Sequence, residues 1–445
     1  MLNKLKKYLP ASILDRYHLV LAHIAAWRYG CPSEKIIVIG VTGTNGKSTT
    51  CNFIAHILEE AGHKVGMTTT VNFRIAGKEW LNPYKMTMLG RFRLQKMLAD
   101  MVRAGCRYAV IETSSEGIKQ HRHAAVNYDV AVFTNLTPEH LESHGGFENY
   151  KAAKGRLFAK LAREKVKKMA NFNIRKTAVI NLNDQHAGYF LSFPVPVKVG
   201  FSVGGKPTAA VEGLANTVIA KDVQLSTKGS VFTVDGEPFS MQLPGAFNVE
   251  NALAAIAVGR VLGLAFEVIA RALAKVEVVP GRMEFISAGQ SFSVLVDYAP
   301  EPESFRKLYE AVALFPKKRV IHVLGSCGGG RDVDRRPVLG RLAAQNADIV
   351  IVTNEDPYDD DPGQIIQEVA AGATGAGKVL DKDLFLIQDR EAALNKAVAL
   401  AEPGDMVIAT GKGAEQAIVT AGGVKLPWDE RTKLLEAIRR RYPRN

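Results

Sequence analysis

Cysteine is scarce in this chain. The four that occur in 445 residues (Cys31, Cys51, Cys106, Cys327) stand far apart, with no C-x-x-C pair. That spacing argues against a zinc ribbon and for a reducing, cytoplasmic compartment. No apolar run approaches the ~18 residues that mark a membrane-spanning helix. There is no short-period repeat and no low-complexity tract. The net charge of +12 comes without any RNA- or DNA-binding signature. Its lysines and arginines are spread along the chain, which fits a solvated basic surface or anionic small substrates and gives no reason to expect nucleic acid. Hydrophobic residues at 47% and charged residues at 23% are ordinary for a soluble globular protein, long enough for two or three domains.

The most informative stretch is Gly40-Val41-Thr42-Gly43-Thr44-Asn45-Gly46-Lys47-Ser48-Thr49-Thr50. It follows the β-branched run Ile36–Ile39 and precedes a helical pattern (Cys51, Phe53, Ile54, Ile57, Leu58). Strand, glycine-rich turn and helix N-terminus form the setting in which backbone N–H groups cradle phosphate. Lys47 would reach the β- and γ-phosphates, and the Ser48 hydroxyl would ligate Mg²⁺. Val41 occupies the place of the first glycine in the strict G-x-x-x-x-G-K-[ST] pattern, so Gly40 and Gly43 must shape a slightly different loop. The expectation is a loop that binds a nucleoside triphosphate.

Residues 11–29 read as a helix bearing Leu14, Tyr17, Leu21, Ile24, Ala25 and Trp27, after a basic start with Lys4, Lys6 and Lys7. A packed helix, an interfacial helix on anionic lipid and a secretory signal compete here. The signal is set aside because the phosphate loop follows so closely, and core packing is favoured because an apolar helix face usually packs inward. From 36 to about 200, strand-like segments (36–41, 108–112, 129–134, 177–181) alternate with helices such as 93–104, the rhythm of a mostly parallel sheet. Residues 205–245 carry turn signals and read as a few appended antiparallel strands. Helices follow over 248–264 and to about 276, with Pro280-Gly281 as the linker. Strands at 292–296, 320–325, 347–353, 384–387 and 406–410 then make a second α/β series. The expected fold is α/β: a P-loop-type, mostly parallel central sheet with appended strands, then a smaller Rossmann-like α/β domain. The expected divisions are 1–34, 35–281 and 282–445, with a shared cleft between two α/β domains.

Glu112 ends the strand Tyr108–Glu112 just before a polar turn, where a carboxylate can serve as a hard oxygen ligand for Mg²⁺. With the remaining motifs the chain resembles the Mur ligase family, the ATP-dependent amide ligases of peptidoglycan synthesis, and within it the members that add the third peptide residue. The resemblance runs from about residue 36 to the C-terminus. It rests on Thr-Gly-Thr-Asn-Gly-Lys at 42–47, Glu-Thr-Ser-Ser at 112–115 and Phe-Thr-Asn-Leu-Thr-Pro-Glu-His at 133–140. Tyr150…Ala153-Lys154…Leu157-Phe158, Asn248-Val-Glu-Asn251, Pro280-Gly-Arg282-Met-Glu284 and Asp297-Tyr-Ala299 come next. Cys327-Gly-Gly…Arg331-Asp332, Gly411-Lys-Gly-Ala-Glu415 and Asp429-Glu-Arg431 complete the series in family order.

The resemblance implies a reaction in which ATP phosphorylates a peptide carboxylate and an amino acid's amine then displaces phosphate. It implies ATP contacts at Gly43, Thr44, Asn45, Gly46, Lys47, Ser48, Thr49, Asn248, Asn251, Arg282 and Asp297. Metal would be held by Ser48, Glu112 and His140, and the catalytic set would be Lys47, Glu112, His140 and Lys154, the last at a position carbamylated in many members. Thr87, Ser114 and Arg122 match positions that hold the muramoyl peptide. Arg331, Glu355, Asp356, Tyr358, Gly411 and Glu415 match the amino-acid site. Two departures stand out. Met-Thr-Met replaces the family's Thr-Thr-Pro around Thr87. A uridine-nucleotide-binding domain normally precedes the phosphate loop, where this chain has only the residues up to Ile39. The nucleotide would then be held differently, or the acceptor would not be a UDP-sugar peptide; a lipid-linked acceptor would suit an interfacial helix. Diaminopimelate-adding members carry Asp-Asn-Pro-Arg where this chain has Glu355-Asp356-Pro357-Tyr358. An acidic pocket without that arginine should prefer a side-chain ammonium, as in lysine or ornithine. Alternatives are a folate or poly-glutamate ligase, which also lacks the leading domain, and a non-ligating ATP-binding regulatory paralogue. The second is disfavoured by the presence of Lys47, Glu112, His140 and Lys154.

Overall fold

The computed structural model describes residues 11–139, 141–167, 169, 174–204 and 213–442. His140 and the basic Lys4, Lys6 and Lys7 lie outside this set. The larger sheet is built from β1 (Ile37–Thr42), β2 (Val65–Thr68), β3 (Asn72–Ile75), β4 (Lys78–Leu81), β5 (Tyr108–Glu112), β6 (Val130–Phe133), β7 (Thr177–Asn181), β8 (Val197–Val203), β9 (Asn216–Ser226), β10 (Gly229–Val234) and β11 (Glu237–Met241). Their order is β11-β10-β9-β8-β7-β6-β1-β5-β2-β3-β4. The run from β9 to β2 is parallel, and antiparallel hairpins finish both edges.

Every residue of β1 is buried. A strand covered by helices on both faces has no polar side, which is why Ile36–Ile39 reads as a continuous apolar run. The central strands fall within a residue of the expected spans. The expected antiparallel set is present as β9–β11, whereas β2–β4 were not foreseen: each has four residues, too few to show a period. The helix Ala246–Val261 is mostly apolar, its polar residues being Asn248, Glu250, Asn251 and Arg260, and is correspondingly buried, packed on the Lys47–Glu60 helix and on β8.

The smaller sheet comprises β12 (Glu284–Phe285), β13 (Ser293–Val296), β14 (Val320–Leu324), β15 (Ile349–Thr353), β16 (Leu384–Ile387) and β17 (Met406–Ala409), in the order β12-β13-β17-β14-β15-β16 and parallel except for β12. A bidentate pair inside this half, Arg390 to Glu430 at 2.9 and 2.6 Å, ties its last helix to the strand ends, for Arg390 also donates to the Thr410 carbonyl.

The N-terminal helix, Ala11–Arg28, packs on the helix Arg91–Arg103. Its inward face is the small-residue face, Ala22, Ala25 and Ala26, which allows close helix approach. Tyr17, Ile24 and Trp27 are exposed. The expectation that these larger residues pack into a core is therefore corrected: alanines fill that role.

Candidate active site

β1 lies between β5 and β6, the point where the strand order reverses, and ligands of parallel α/β sheets sit at the carboxyl ends of strands flanking such a point. The phosphate loop leaves β1 there. Gly43 (φ 153°) and Gly46 (φ 80°) adopt backbone angles that side chains resist, and a Cβ at Gly46 would collide with the Asn251 amide. The segment after β6 pins the loop. The Asn45 N–H donates to Asn135 Oδ1 (2.8 Å), the Thr44 N–H to the Asn135 carbonyl (2.9 Å), and the Thr137 N–H to Thr44 Oγ1 (2.9 Å). Tyr150 OH lies 3.0 Å from the same Thr44 hydroxyl. The Lys47–Glu60 helix begins at Gly46 with no side-chain cap.

Two ammonium groups bind the loop's own carbonyls: Lys47 Nζ donates to Thr44 O and Lys154 Nζ to Gly43 O, each at 2.6 Å. Lys154 is 1% exposed and stands over the Tyr150 ring at 4.5 Å. Burial drives its basicity well below that of an ordinary lysine, and the Lys47 charge pushes the same way against Glu139 and Glu112. On the other side of the loop, Ser48 Oγ donates to Glu112 Oε2 at 2.7 Å. Thr70 donates to Glu112 twice, through its N–H at 2.7 Å and its hydroxyl at 2.9 Å. Thr87 Oγ1 is 3.0 Å from Thr70 Oγ1. Ser48, Glu112 and Thr70 form an all-oxygen donor set, the kind a hard divalent cation requires.

The smaller sheet closes the opposite wall. Asn45 Nδ2 donates to Glu301 Oε1 at 2.7 Å, and Glu301 in turn caps the helix Pro302–Ala313. The Arg282 guanidinium reaches within 3.5 Å of Ser48 Oγ and stacks over the Tyr298 ring at 4.4 Å. Asp297 accepts the Met283 and Ala299 N–H groups at 2.8 Å each; burial raises its pKa, opposed by Arg282. Between the walls lies an open cleft lined from both sheets, by the phosphate loop on one side and by Arg282, Asp297, Tyr298 and Lys307 on the other.

A second cluster sits at the ends of β14, β15 and β17. Cys327 Sγ donates to Glu355 Oε1 (2.8 Å), and Gly411 lies against the Glu355 carboxylate. Asp356 Oδ1 accepts from Lys412 (3.0 Å) and from the Val419 N–H (2.8 Å), while its Oδ2 accepts from Lys85, which comes from the larger sheet's β4–helix loop. Glu415 Oε2 is 3.0 Å from Lys412 and 3.2 Å from Lys85. Burial opposes ionisation of Asp356, but Lys412 and Lys85 outweigh it and hold the carboxyl below its usual range. The Arg331 charge acts on Cys327, Tyr298, Tyr358 and Glu139. Tyr298 bridges the clusters, its carbonyl accepting the Gly411 N–H at 3.0 Å.

Most of the residues singled out in the sequence thus converge. Thr44, Asn45, Gly46, Lys47, Ser48, Thr49, Thr87, Glu112, Ser114, Lys154, Asn251, Arg282 and Asp297 line the cleft. Gly43 shapes the loop from behind it. Asn248 bonds the Pro244 carbonyl and accepts from Asn251. Ser114 caps the short helix Ser115–Lys119, and Arg122 bonds the Met88 carbonyl, bracing the loop that carries Thr87. Arg331, Glu355, Asp356, Tyr358, Gly411 and Glu415 gather in the second cluster. Asp356 differs from expectation, since both of its oxygens are taken by protein donors and neither is left for a substrate ammonium. Sequence reasoning missed Thr70, Lys85, Glu301 and Lys412. Asn135 and Tyr150 lay inside quoted motifs and could have been singled out; Lys85 carries no local signal.

Two family models match the chain: the Mur ligase middle domain over residues 41–259 and the Mur ligase, glutamate ligase domain over 281–413. A UDP-N-acetylmuramyl-tripeptide synthetase from Roseiflexus sp. (strain RS-1) is 41% identical over 435 residues, covering 96% of this chain and 84% of that protein. The solved structure of a UDP-N-acetylmuramoyl-L-alanyl-D-glutamate–2,6-diaminopimelate ligase superposes with a TM-score of 0.60 at 27% identity, covering 95% of this chain and 83% of its own. Folylpolyglutamate synthase of Mycobacterium tuberculosis, complexed with ADP and AMPPCP, aligns with a TM-score of 0.69 over 96% of both chains, but at 17% identity it shares the fold alone. With both family models matching in order and a relative 41% identical over nearly the whole chain, this chain is a member of the Mur ligase family, ATP-dependent ligases that form an amide bond with release of ADP.

Proposed function

We propose that the chain joins an amino acid bearing a side-chain ammonium to the terminal carboxylate of a muropeptide-type acceptor, with the residue divisions 35–281 and 282–445 each supplying one wall of the site. An acceptor carboxylate oxygen attacks the γ-phosphorus of ATP and ADP leaves. The amine nitrogen then attacks the acyl carbon, phosphate departs, and the nitrogen loses a proton. Lys47 exchanges its loop carbonyl for phosphoryl oxygens and offsets the charge that develops there, and Arg282 brings a second cation from the facing wall. Lys154, as its carbamate, would supply a further carboxylate beside the metal. Ser48 and Glu112 would hold Mg²⁺, which neutralises phosphate charge when bound, with His140 as a further ligand. Asn251 and Asn248 would place the adenine side, and Thr87 and Ser114 the acceptor. Fixing three reactants in one walled cleft supplies orientation and keeps water from the acyl phosphate.

The observation that carries this reading is the convergence of Lys47, Lys154 and Arg282, from two separate sheets, on the hydroxyl and carbonyls of one phosphate loop. In the second cluster Glu355 and Glu415 are the carboxylates placed to receive an ammonium, while Tyr358 stands where an arginine would favour a carboxylate. The test is phosphate release from ATP with UDP-N-acetylmuramoyl-L-Ala-D-Glu and, in parallel, L-lysine, L-ornithine or meso-diaminopimelate. Release that needs both acceptor and one of the first two amino acids is expected. Release only with diaminopimelate overturns the amino-acid reading, and none with any amino acid overturns the acceptor.

A further inference from the structure

We propose that the outward face of the N-terminal helix is a docking surface for an anionic lipid bilayer, on which the helix lies flat. Ile13, Tyr17, Val20, Ile24 and Trp27 recur at intervals of three and four residues, which at ~100° per residue places them within an arc of about 80° on one side of the helix. All five are exposed, from 39% for Tyr17 to 78% for Trp27. The helix is not a loose appendage. Its alanine face is buried, and Asp15 is bonded to His121 Nε2 at 2.6 Å. The stripe is thus held outward by a packed back face, and its five side chains remain exposed.

Charge identifies what fits there. Arg16 and His23 border the stripe on one side and Arg28 on the other, and the sequence ahead of the helix adds Lys4, Lys6 and Lys7. Asp15, the helix's one acid, falls on the opposite side. Apolar residues with cationic borders let the side chains enter the acyl boundary while the charged heads meet lipid phosphates. Trp27 and Tyr17 are the residue types that settle at that boundary. A second copy of this chain fits less well, because a two-fold contact through this stripe would set like-charged borders against each other. The helix has 18 residues, and no described helix is long and apolar enough to cross a membrane, so the contact is with the surface. An acidic membrane face would hold the enzyme near lipid-borne substrates or products without spanning it.

The experiment is flotation of the full chain with vesicles of phosphatidylcholine plus phosphatidylglycerol, and of phosphatidylcholine alone. The expected result is a bound fraction about tenfold higher on the anionic vesicles, lost in the double variant Ile24→Glu/Trp27→Glu and reduced in Arg16→Glu/Arg28→Glu. Circular dichroism and ATP-dependent phosphate release in solution should be unchanged, since Ile24 and Trp27 are exposed and none of the four altered residues lines the cleft. Equal binding by the wild type and the apolar double variant, or none by either, overturns the proposal. So does a dimer, seen by light scattering, that the apolar double variant converts to monomer while the wild type ignores vesicles; that outcome assigns the face to a second copy.

Discussion

The Lys85 ammonium, carried on a loop of the larger sheet, is bonded to the Asp356 carboxylate beyond the end of β15 in the smaller one. It also approaches Glu415 Oε2 at 3.2 Å. On the proposed reading of the second cluster, Lys85 acts as a tethered occupant of the place offered to an incoming side-chain ammonium. Lys85→Met leaves both Asp356 and Glu415 paired with Lys412 and removes the competing ammonium. The expected outcome is a severalfold lower KM for the amino acid with kcat little changed, measured by phosphate release. A purely structural ion pair would instead lower Tm by the equivalent of about 1–3 kcal/mol and leave KM alone.

Glu112 receives Ser48 and two donors from Thr70. Glu112→Gln keeps the shape and removes the charge. We expect phosphate release to fall at least ~10²-fold, with Lys47→Ala and His140→Ala falling as far or further. Mg²⁺ titration of activity should shift to higher concentration for Glu112→Gln, which separates loss of metal affinity from misfolding.

Burial first, then the Lys47 charge, depress Lys154, so its amine gives up its proton more readily than an ordinary lysine's. A neutral amine can add CO₂ and release a proton to give a carbamate, whereas an ammonium cannot. Activity should fall in CO₂-free buffer and return on adding bicarbonate. Lys154→Ala should be inactive and regain a measurable part of its rate with added short-chain carboxylates. Indifference to CO₂ would leave Lys154 acting as a cation.

Tyr358 lies in the second cluster with positive φ (53°) and close to Arg331 and Cys327. Tyr358→Arg introduces a guanidinium that can take a carboxylate bidentately. The ratio of kcat/KM for diaminopimelate over lysine should rise about tenfold, which is ~1.4 kcal/mol. An unchanged ratio would remove Tyr358 from the amino-acid site.

Three histidines are held neutral by burial: His56 is lowered to about 4, His123 to about 3 and His322 to about 3, with Arg74, Lys160 and Arg390 respectively adding to the effect. Each takes its proton readily only when the chain unfolds. Their stability is complete above the ordinary histidine pKa of ~6.5 and is lost as pH falls toward 4. At pH 5 the loss is about 2 kcal/mol for each. Thermal melts should show Tm falling between pH 6.5 and 4, and His322→Phe should flatten part of that slope.

The phosphate loop was legible in the sequence because its chemistry is local: a buried strand, a glycine-rich turn and a helix start follow one another directly over residues 36–58, whereas Glu112, a strand-end carboxylate, and Lys154 were singled out with the help of the family resemblance. The fully buried β1 and the mostly apolar helix Ala246–Val261 also announce themselves through composition. What the chain could not disclose is which distant groups share a site. Asn45 and Glu301 are 256 residues apart, and Lys85 and Asp356 are 271 apart; no periodicity links them. The facing of two sheets makes Asp356 a saturated ion-pair centre instead of an open acid, and the pairing of β2 beside β5 within the larger sheet makes Thr70 a partner of Glu112. The N-terminal helix shows the same division. Its amphipathic spacing is a property of the sequence, but which face turns inward depends on what it meets. There the small alanines, able to approach a neighbouring helix closely, won the interior, and the large apolar residues were left facing out.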